Sequence, residues 1–344
     1  MSEINSYRNI QDTWLKYWNA KVETRMFKTS KIYQDFQTIT TQTSFTQLPN
    51  VEAANQCKNR YSNVVPFPET QVKLNINSSS DCLNQYINAS HITPMFKEIT
   101  TTYIAAQAPL PNTINDWWRM VWEQNIHLVV MLTNFTEVIF DLNQKRNTAI
   151  IKSHLYWSTD KNVPLLCLNG GMKIQLATED QKSGYIIRTF DIHYQNSVKH
   201  IALLHLTEWK DSDAPEAHSF FTFFQAYRYY REHLYKQLAQ AGDTNNSPIL
   251  VHCSAGIGRT GTFITIDILM DLLERCYQDI HSTISFNPTD QLKPCISTHD
   301  LLNNPSKLLT TIVLHLRKCR IGMVQTIQQF KFIFEFVYYL LAKT

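Results

Sequence analysis

Among the 344 residues there is no CxxC pair and no tight Cys/His cluster, although seven cysteines are present. An odd number without paired spacing argues against a disulfide framework and against a structural zinc site. A reducing compartment is implied, with no metal or cofactor expected. Charge of one sign is lacking too: 32 Lys and Arg against 29 Asp and Glu leave a formal net charge of +3, too little to argue for nucleic acid as a partner. Long apolar runs are absent. The most apolar segment, 330–341, is short and interrupted by Lys331 and Glu335, so no membrane span is expected. The start, Met1-Ser2-Glu3-Ile4-Asn5, has no signal-peptide core, and Ser2 excludes N-myristoylation. The four N-x-S/T matches, Asn77 and Asn245 among them, then carry no weight. What is present is enough to build a large core: 44% hydrophobic and 12% aromatic residues indicate a globular chain of one large or two ordinary domains.

The densest chemistry lies at 248–264, Pro-Ile-Leu-Val-His-Cys-Ser-Ala-Gly-Ile-Gly-Arg-Thr-Gly-Thr-Phe-Ile. Ile249 to Val251 predicts a buried strand, and Phe263, Ile264, Ile268 and Leu272 recur at helical spacing from Thr260 onward. The Gly-rich loop between them points successive backbone N–H groups and a helix N-terminus at one place, a cradle for an anion. Cys253 stands at its entrance and Arg259 at its exit. A helix N-terminus and a nearby cation lower a thiol pKa from ~8.5 toward roughly 3.5–7.5, which supplies a nucleophile at neutral pH. A planar guanidinium holds two oxygens of an oxyanion, so a phosphate ester is the natural electrophile. Two blander readings compete. Gly256, Gly258 and Gly261 satisfy G-x-G-x-x-G between strand and helix, as in a dinucleotide fold. That motif comes late here, lacks a following βαβ unit and leaves Cys253 and Arg259 without roles. A buried Cys beside an ordinary turn does not account for His-Cys-x5-Arg with glycines at 256, 258 and 261.

The run His252-Cys253-Ser254-Ala255-Gly256-Ile257-Gly258-Arg259-Thr260-Gly261 resembles the signature loop of the phosphotyrosine-specific protein tyrosine phosphatases at each of its ten positions. The resemblance extends over about 55–342. It implies an α/β (α+β) fold: one catalytic domain, 55–344, with a central, highly twisted mixed sheet flanked by helices, and an N-terminal helical segment, 1–54, packed on it. By the same resemblance Cys253 is the nucleophile, Arg259 and the amides of Ser254, Ala255, Gly256, Ile257 and Gly258 bind the phosphoryl oxygens, Thr260 assists departure of the thiolate, and His252 tunes it. The partners implied are phosphotyrosine proteins met by a monomer.

Other segments carry the same likeness. Residues 5–40 predict two or three helices from Ile10, Trp14, Tyr17, Trp18, Ile32, Phe36 and Ile39. Lys58 to Phe67 resembles the substrate-recognition loop, with Tyr61 stacking on the substrate ring; by itself Tyr61 is one of 16 tyrosines and equally a packing residue. Asn63 stands where the family has Asp, which implies weaker hydrogen bonds to the peptide backbone, and Ser62 replaces a basic residue of some members. Gln85 to Ile92 alternates as a half-buried strand, with Gln85 in place of an acid. Tyr103 to Thr113, then Trp117, Trp118, Val121 and Trp122, read as scaffold. Leu128 to Leu132 predicts a central strand. Glu137 and Lys152 bracket a segment resembling the family's lysine- and glutamate-bearing loop; a solvated lysine is the alternative for Lys152. Hairpins are predicted at 169–171 and 182–184.

The acid loop is Glu208-Trp209-Lys210-Asp211-Ser212-Asp213-Ala214-Pro215-Glu216. A phenol of pKa ~10 leaves poorly unless protonated. Trp209, Asp211 and Pro215 keep the family's register, making Asp211 the general acid and then base, with Asp213 the alternative. Lys210 for Pro and Asp213 for Gly put loop closure in question. Ser219 to Leu238 predicts an amphipathic helix, and 278–305 a polar surface insertion. Near the C-terminus Gln325 and Gln329 match the family's Q-loop, the first orienting the attacking water and the second supporting it. The loop departures and the compact chain resemble the tyrosine phosphatases of polydnaviruses (bracoviruses), implying action in a host cell's cytoplasm. They also motivate a different class of function, a pseudophosphatase that binds phosphotyrosine proteins without turnover.

Overall fold

The computed structural model describes residues 31–43, 49–75, 85–93, 95–97, 99–141, 146–168, 171–209, 214–240, 242, 247–283 and 304–341. Helices α1 (Lys31–Gln42) and α2 (Ala53–Gln56) precede strands β1 (Gln71–Lys73), β2 (Tyr86–Ile92) and β3 (Tyr103–Ala106). Then come α3 (Ile114–Glu123), β4 (Leu128–Met131), the hairpin β5 (Thr136–Asp141) and β6 (Arg146–Ile151), and a meander of β7 (Leu165–Cys167), β8 (Met172–Gln181), β9 (Tyr185–Tyr194) and β10 (Ser197–Leu206). The chain continues through α4 (Ala217–Gln240), β11 (Ile249–His252), α5 (Gly258–Thr283), α6 (Pro305–Cys319) and α7 (Ile327–Leu341). Nine strands form one mixed sheet in the order β1-β2-β3-β11-β4-β10-β9-β8-β7, and β5–β6 form a separate two-stranded sheet.

At the centre β3, β11, β4 and β10 run parallel, which explains the apolar runs of β3, β4 and β11. A strand covered on both faces needs apolar residues at every position. Ile249 and Val251 of β11 point into a core with α4 to α7, whereas Leu250 joins a second core with Trp117 and Trp118 of α3. Leu128 and Val130 of β4 face the first core, Val129 and Met131 the second. The tryptophan stripe is scaffold, as read: the indole N–H of Trp118 donates to the Tyr156 carbonyl at 2.6 Å. Both predicted hairpins form, and β9 and β10 join through Gln195 and Asn196, both at positive φ (49° and 62°). A two-residue turn with that geometry matches strand twist, but Gln at the first position hides it from a search for Asn-Gly.

The expected loop at 278–305 needs correction. The segment 278–305 is not loop from its start: α5 continues to Thr283, and Pro305 is the first residue of α6, with the Asn304 side chain accepting from Lys307 N. Residues 284–303 lie outside the described residues. The helices expected within 5–30 also lie outside them, while α1 packs on α6 and α7 through buried Ile32 and Ile39 and a Phe36–Phe330 ring contact at 5.7 Å. Nothing in the sequence pattern announced the ion cluster between α4 and α5. Arg231 donates to Asp267 at 2.8 Å and to Asp271 at 2.5 Å, with Asp267 wholly buried.

Candidate active site

β11 lies between two parallel neighbours, so the loop 253–257 leaves the carboxyl edge of the sheet, where α/β folds place ligands. Both neighbours hold it. Ala108 N–H, just beyond β3, donates to the Ser254 carbonyl at 2.9 Å, and Leu132 N–H, just beyond β4, donates to the His252 carbonyl at 2.9 Å. Behind the loop lies Arg320, wholly buried, whose guanidinium donates to the carbonyls of Gly256 (2.8 Å) and Ala255 (3.0 Å), to Asn88 Oδ1 (2.7 Å) and to Ser90 Oγ (3.2 Å). Burial pushes the Arg320 pKa down to about 10. With the carbonyls held from behind, N–H groups turn to the other side, and that of Gly256 donates to Cys253 Sγ at 3.3 Å. Gly256 has φ +71°, and a Cβ there would lie 2.1 Å from the Ala106 carbonyl oxygen, so no other residue fits. Arg320 escaped the sequence reading because its partners lie 64 to 232 residues away.

His252 is locked neutral. Its Nδ1 lies 3.2 Å from the Cys253 carbonyl oxygen, which only accepts, so Nδ1 carries the proton and Nε2 accepts from the Tyr156 hydroxyl at 2.9 Å. Burial lowers its pKa to about 3. His205 is similar: Nε2–H donates to the Thr133 carbonyl at 2.9 Å, Nδ1 accepts from Arg188, and burial together with the Arg188 charge lowers its pKa to about 4. Unfolded histidine titrates near pH ~6.5, so the unfolded chain takes up these protons first. Their contribution to stability is complete above that pH and shrinks as pH falls toward the folded-state values. By pH 5 each histidine should cost on the order of 2 kcal/mol. Thermal unfolding between pH 7.5 and 5 should show a falling Tm; a flat Tm would contradict the neutral, buried assignment.

Arg259, 2% exposed, meets Glu137 of β5 in a two-pronged ion pair, Nη1 to Oε1 at 2.6 Å and Nη2 to Oε2 at 2.9 Å. Nη1 also donates to the Leu132 carbonyl at 3.1 Å. The Thr133 hydroxyl reaches Glu137 Oε1 at 3.4 Å. The solvated alternative for Lys152 does not hold, because the residue is 7% exposed. Its carbonyl accepts from Ser254 Oγ at 2.8 Å. That uses the only Ser254 hydroxyl hydrogen, so the Tyr61 hydroxyl donates to Ser254 Oγ at 2.9 Å. Tyr61, Ser254 and Lys152 thus form one chain at the loop's edge. Gln107 and Arg60 fasten the tyrosine's loop: Gln107 Oε1 accepts from Arg60 N–H at 2.9 Å, and the Arg60 guanidinium donates to the carbonyls of Ala108 and Pro109 at 3.2 and 2.8 Å. Asn63 is exposed and Ile257 buried.

Gln325 is exposed beside Val324, which sits at φ +56°, a backbone state costing a β-branched residue about 1–3 kcal/mol. Val324 N–H donates to the Ile257 carbonyl at 3.2 Å, and a Cβ on Gly261 would lie 2.4 Å from Val324 N, so glycine permits the close approach. Gln329 completes a capping box at the start of α7. Its Oε1 accepts from the N–H groups of Gln325 (3.0 Å) and Thr326 (3.2 Å), while Thr326 Oγ1 accepts from Gln329 N–H. A Cβ on Gly258 would lie 2.8 Å from Gln329 Nε2, which puts Gln329 beneath the loop; Thr-x-x-Gln was the signal for this cap. The Thr260 hydroxyl is buried with no hydrogen-bond partner among the described residues. Trp209 is 1% exposed, edge-on to Phe220 at 5.6 Å. Asp211, with Lys210 and Asp213, lies outside the described residues.

The sequence matches the family model described as protein-tyrosine phosphatase over residues 55–293. It is 32% identical over 286 residues to the tyrosine-protein phosphatase non-receptor type 20 of Mus musculus, covering 82% of this chain and 53% of that protein. With the receptor-type tyrosine-protein phosphatase eta of Gallus gallus it shares 36% over 225 residues, 64% of this chain and 14% of the relative. With tyrosine-protein phosphatase 3 of Dictyostelium discoideum it shares 33% over 288 residues, 82% and 24%. The chain spans about half the length, or less, of these curated relatives.

Proposed function

Because the chain belongs to the protein-tyrosine phosphatase family, we propose that it hydrolyses phosphotyrosine in proteins through a cysteinyl-phosphate. The observation that carries this reading is the Arg259–Glu137 ion pair fixed beside a loop whose Gly256 N–H already donates to Cys253 Sγ. Cys253 Sγ attacks phosphorus as the bond to the tyrosine oxygen breaks, and Asp211 supplies the phenol's proton. Arg259 and the N–H groups of 254–258 carry the equatorial oxygens. In the second step water, oriented by Gln325, attacks phosphorus and yields its proton to Asp211. The S–P bond breaks, phosphate leaves and the thiolate is restored, with the Thr260 hydroxyl donating to it. Tyr61 lines the edge on which the substrate ring stacks, and Asn63 meets the peptide backbone. His252 takes no proton in either step, since both of its nitrogens are committed.

The domain reading stays with this proposal: a catalytic unit from 55 to 344 with the preceding segment, 1–54, packed on it. Among the described residues no helix is long and apolar enough to cross a membrane. The finer reading, a monomeric bracovirus-type enzyme acting on phosphoproteins in a host cell's cytoplasm, is supported by the resemblance that the loop departures at Lys210 and Asp213 carry. The test is hydrolysis of a phosphotyrosine peptide under reducing conditions. Asp211→Ala should lose about 10²–10⁴ in kcat and still bind the peptide. Loss on Asp213→Ala instead would reassign the acid, and tight binding by the wild type without phosphate release would establish the pseudophosphatase.

A further inference from the structure

Helix α1 precedes the matched family region, 55–293, yet it is joined to the Q-loop through one residue. Arg317 of α6, 5% exposed, donates through Nε to the Met323 carbonyl at 2.9 Å and through Nη2 to the Val324 carbonyl at 2.8 Å. Its remaining arm, Nη1, donates to Thr43 Oγ1 just past α1 at 2.9 Å. The guanidinium lies over the Phe36 ring of α1, 5.6 Å from its centroid, and Phe36 in turn packs on Phe330 of α7. Burial lowers the Arg317 pKa to about 10, so the cation stays charged at neutral pH. A planar cation lying over an aromatic face and hydrogen-bonded at three nitrogens has one available orientation.

The residue it grips is strained. Val324, at φ +56°, keeps that state only while its surroundings over-determine it. Its N–H is taken by the Ile257 carbonyl and the next residue's N–H by Gln329. Its carbonyl is taken by Arg317. We propose that α1, through Phe36 and Thr43, acts on Arg317 as a positioning residue that sets the Q-loop and hence the presentation of Gln325 to the water of the second step. The inference rests on the phosphatase reading above and deepens it. In that step the water oxygen bonds to phosphorus, its proton goes to the Asp211 carboxylate, and the S–P bond breaks. The first step, in which Cys253 displaces the phenol, does not use Gln325.

Rapid mixing of the full chain with p-nitrophenyl phosphate separates the two steps, because nitrophenolate departs in the first. Thr43→Val removes the acceptor and Phe36→Leu removes the aromatic face; neither residue belongs to the catalytic machinery. Both should lower the steady-state rate roughly tenfold, as expected when a reacting group is misplaced by a fraction of an ångström. The burst rate constant should be unchanged and the burst amplitude larger, as cysteinyl-phosphate accumulates. Thr43→Ser, which restores the acceptor, should recover the wild-type rate. Wild-type steady-state rates in both variants would overturn the proposal, and so would equal loss in both phases, which marks a general weakening of the fold. A wild type that releases no nitrophenolate overturns the phosphatase reading itself.

Discussion

Cys253→Ser should abolish turnover, with kcat reduced on the order of 10⁵–10⁶, the scale seen when a covalent nucleophile is removed. The two side chains differ by one atom, and the site explains why that atom decides. A thiol ionises within reach of neutral pH, whereas a hydroxyl needs a base to take its proton. Among the described residues no such base stands beside Cys253: the adjacent His252 donates its Nδ1–H to the Cys253 carbonyl, and its Nε2 accepts from the Tyr156 hydroxyl. Its pKa of about 3 makes it a poor proton acceptor even if it were released. The serine variant should fold and still bind phosphotyrosine peptide, because Arg320, Ala108 and Leu132 hold the loop by its backbone. Phosphate release and peptide binding by calorimetry check both halves. Turnover within 100-fold of the wild type would mean that another group is the nucleophile.

Arg259→Lys should lose about 10²–10³ in kcat, the usual cost of removing a fixed donor from a developing oxyanion. Charge is retained, so the effect isolates geometry. The guanidinium meets Glu137 through two parallel bonds and the Leu132 carbonyl through a third, and this fixes the plane in which it faces the loop. A lysine has a point charge and no fork; it can satisfy one Glu137 oxygen and leaves the other buried without its donor. Inhibition by orthovanadate, which presents the same equatorial oxygens, should weaken in parallel with kcat. Unchanged vanadate affinity would remove Arg259 from the oxyanion site.

The chemistry of this site was legible in the sequence because it is local. Cys253, Gly256, Gly258 and Arg259 fall within seven consecutive positions, and strand and helix periodicity on either side placed them on a turn. Continuous apolar runs at 128–132 and 249–251 likewise reported sheet strands covered on both faces, and the structure puts them side by side. Glu137 was found by resemblance, but spacing alone could not tie it to Arg259, 122 residues on. The alternative of a solvated Lys152 failed because exposure depends on what packs across the hairpin, which no local pattern records. The helix running through Thr283 into a segment read as loop shows the same limit from the other side, since polar composition does not end a helix already anchored by its buried first turns.

By itself, then, the sequence determined the strand–loop–helix unit around Cys253, the buried core strands and the family, since each depends on residues adjacent or periodic along the chain. Only the tertiary structure decided what holds the unit in shape: Arg320 behind the loop, Glu137 on Arg259, Tyr61 on Ser254, and Arg317 between α1 and Val324. Apart from the bond between Arg317 and nearby Val324, these hydrogen bonds join residues 64 to 274 positions apart. A hydrogen bond or ion pair is set by where folded elements bring two side chains, and that juxtaposition leaves no trace in the spacing of either one.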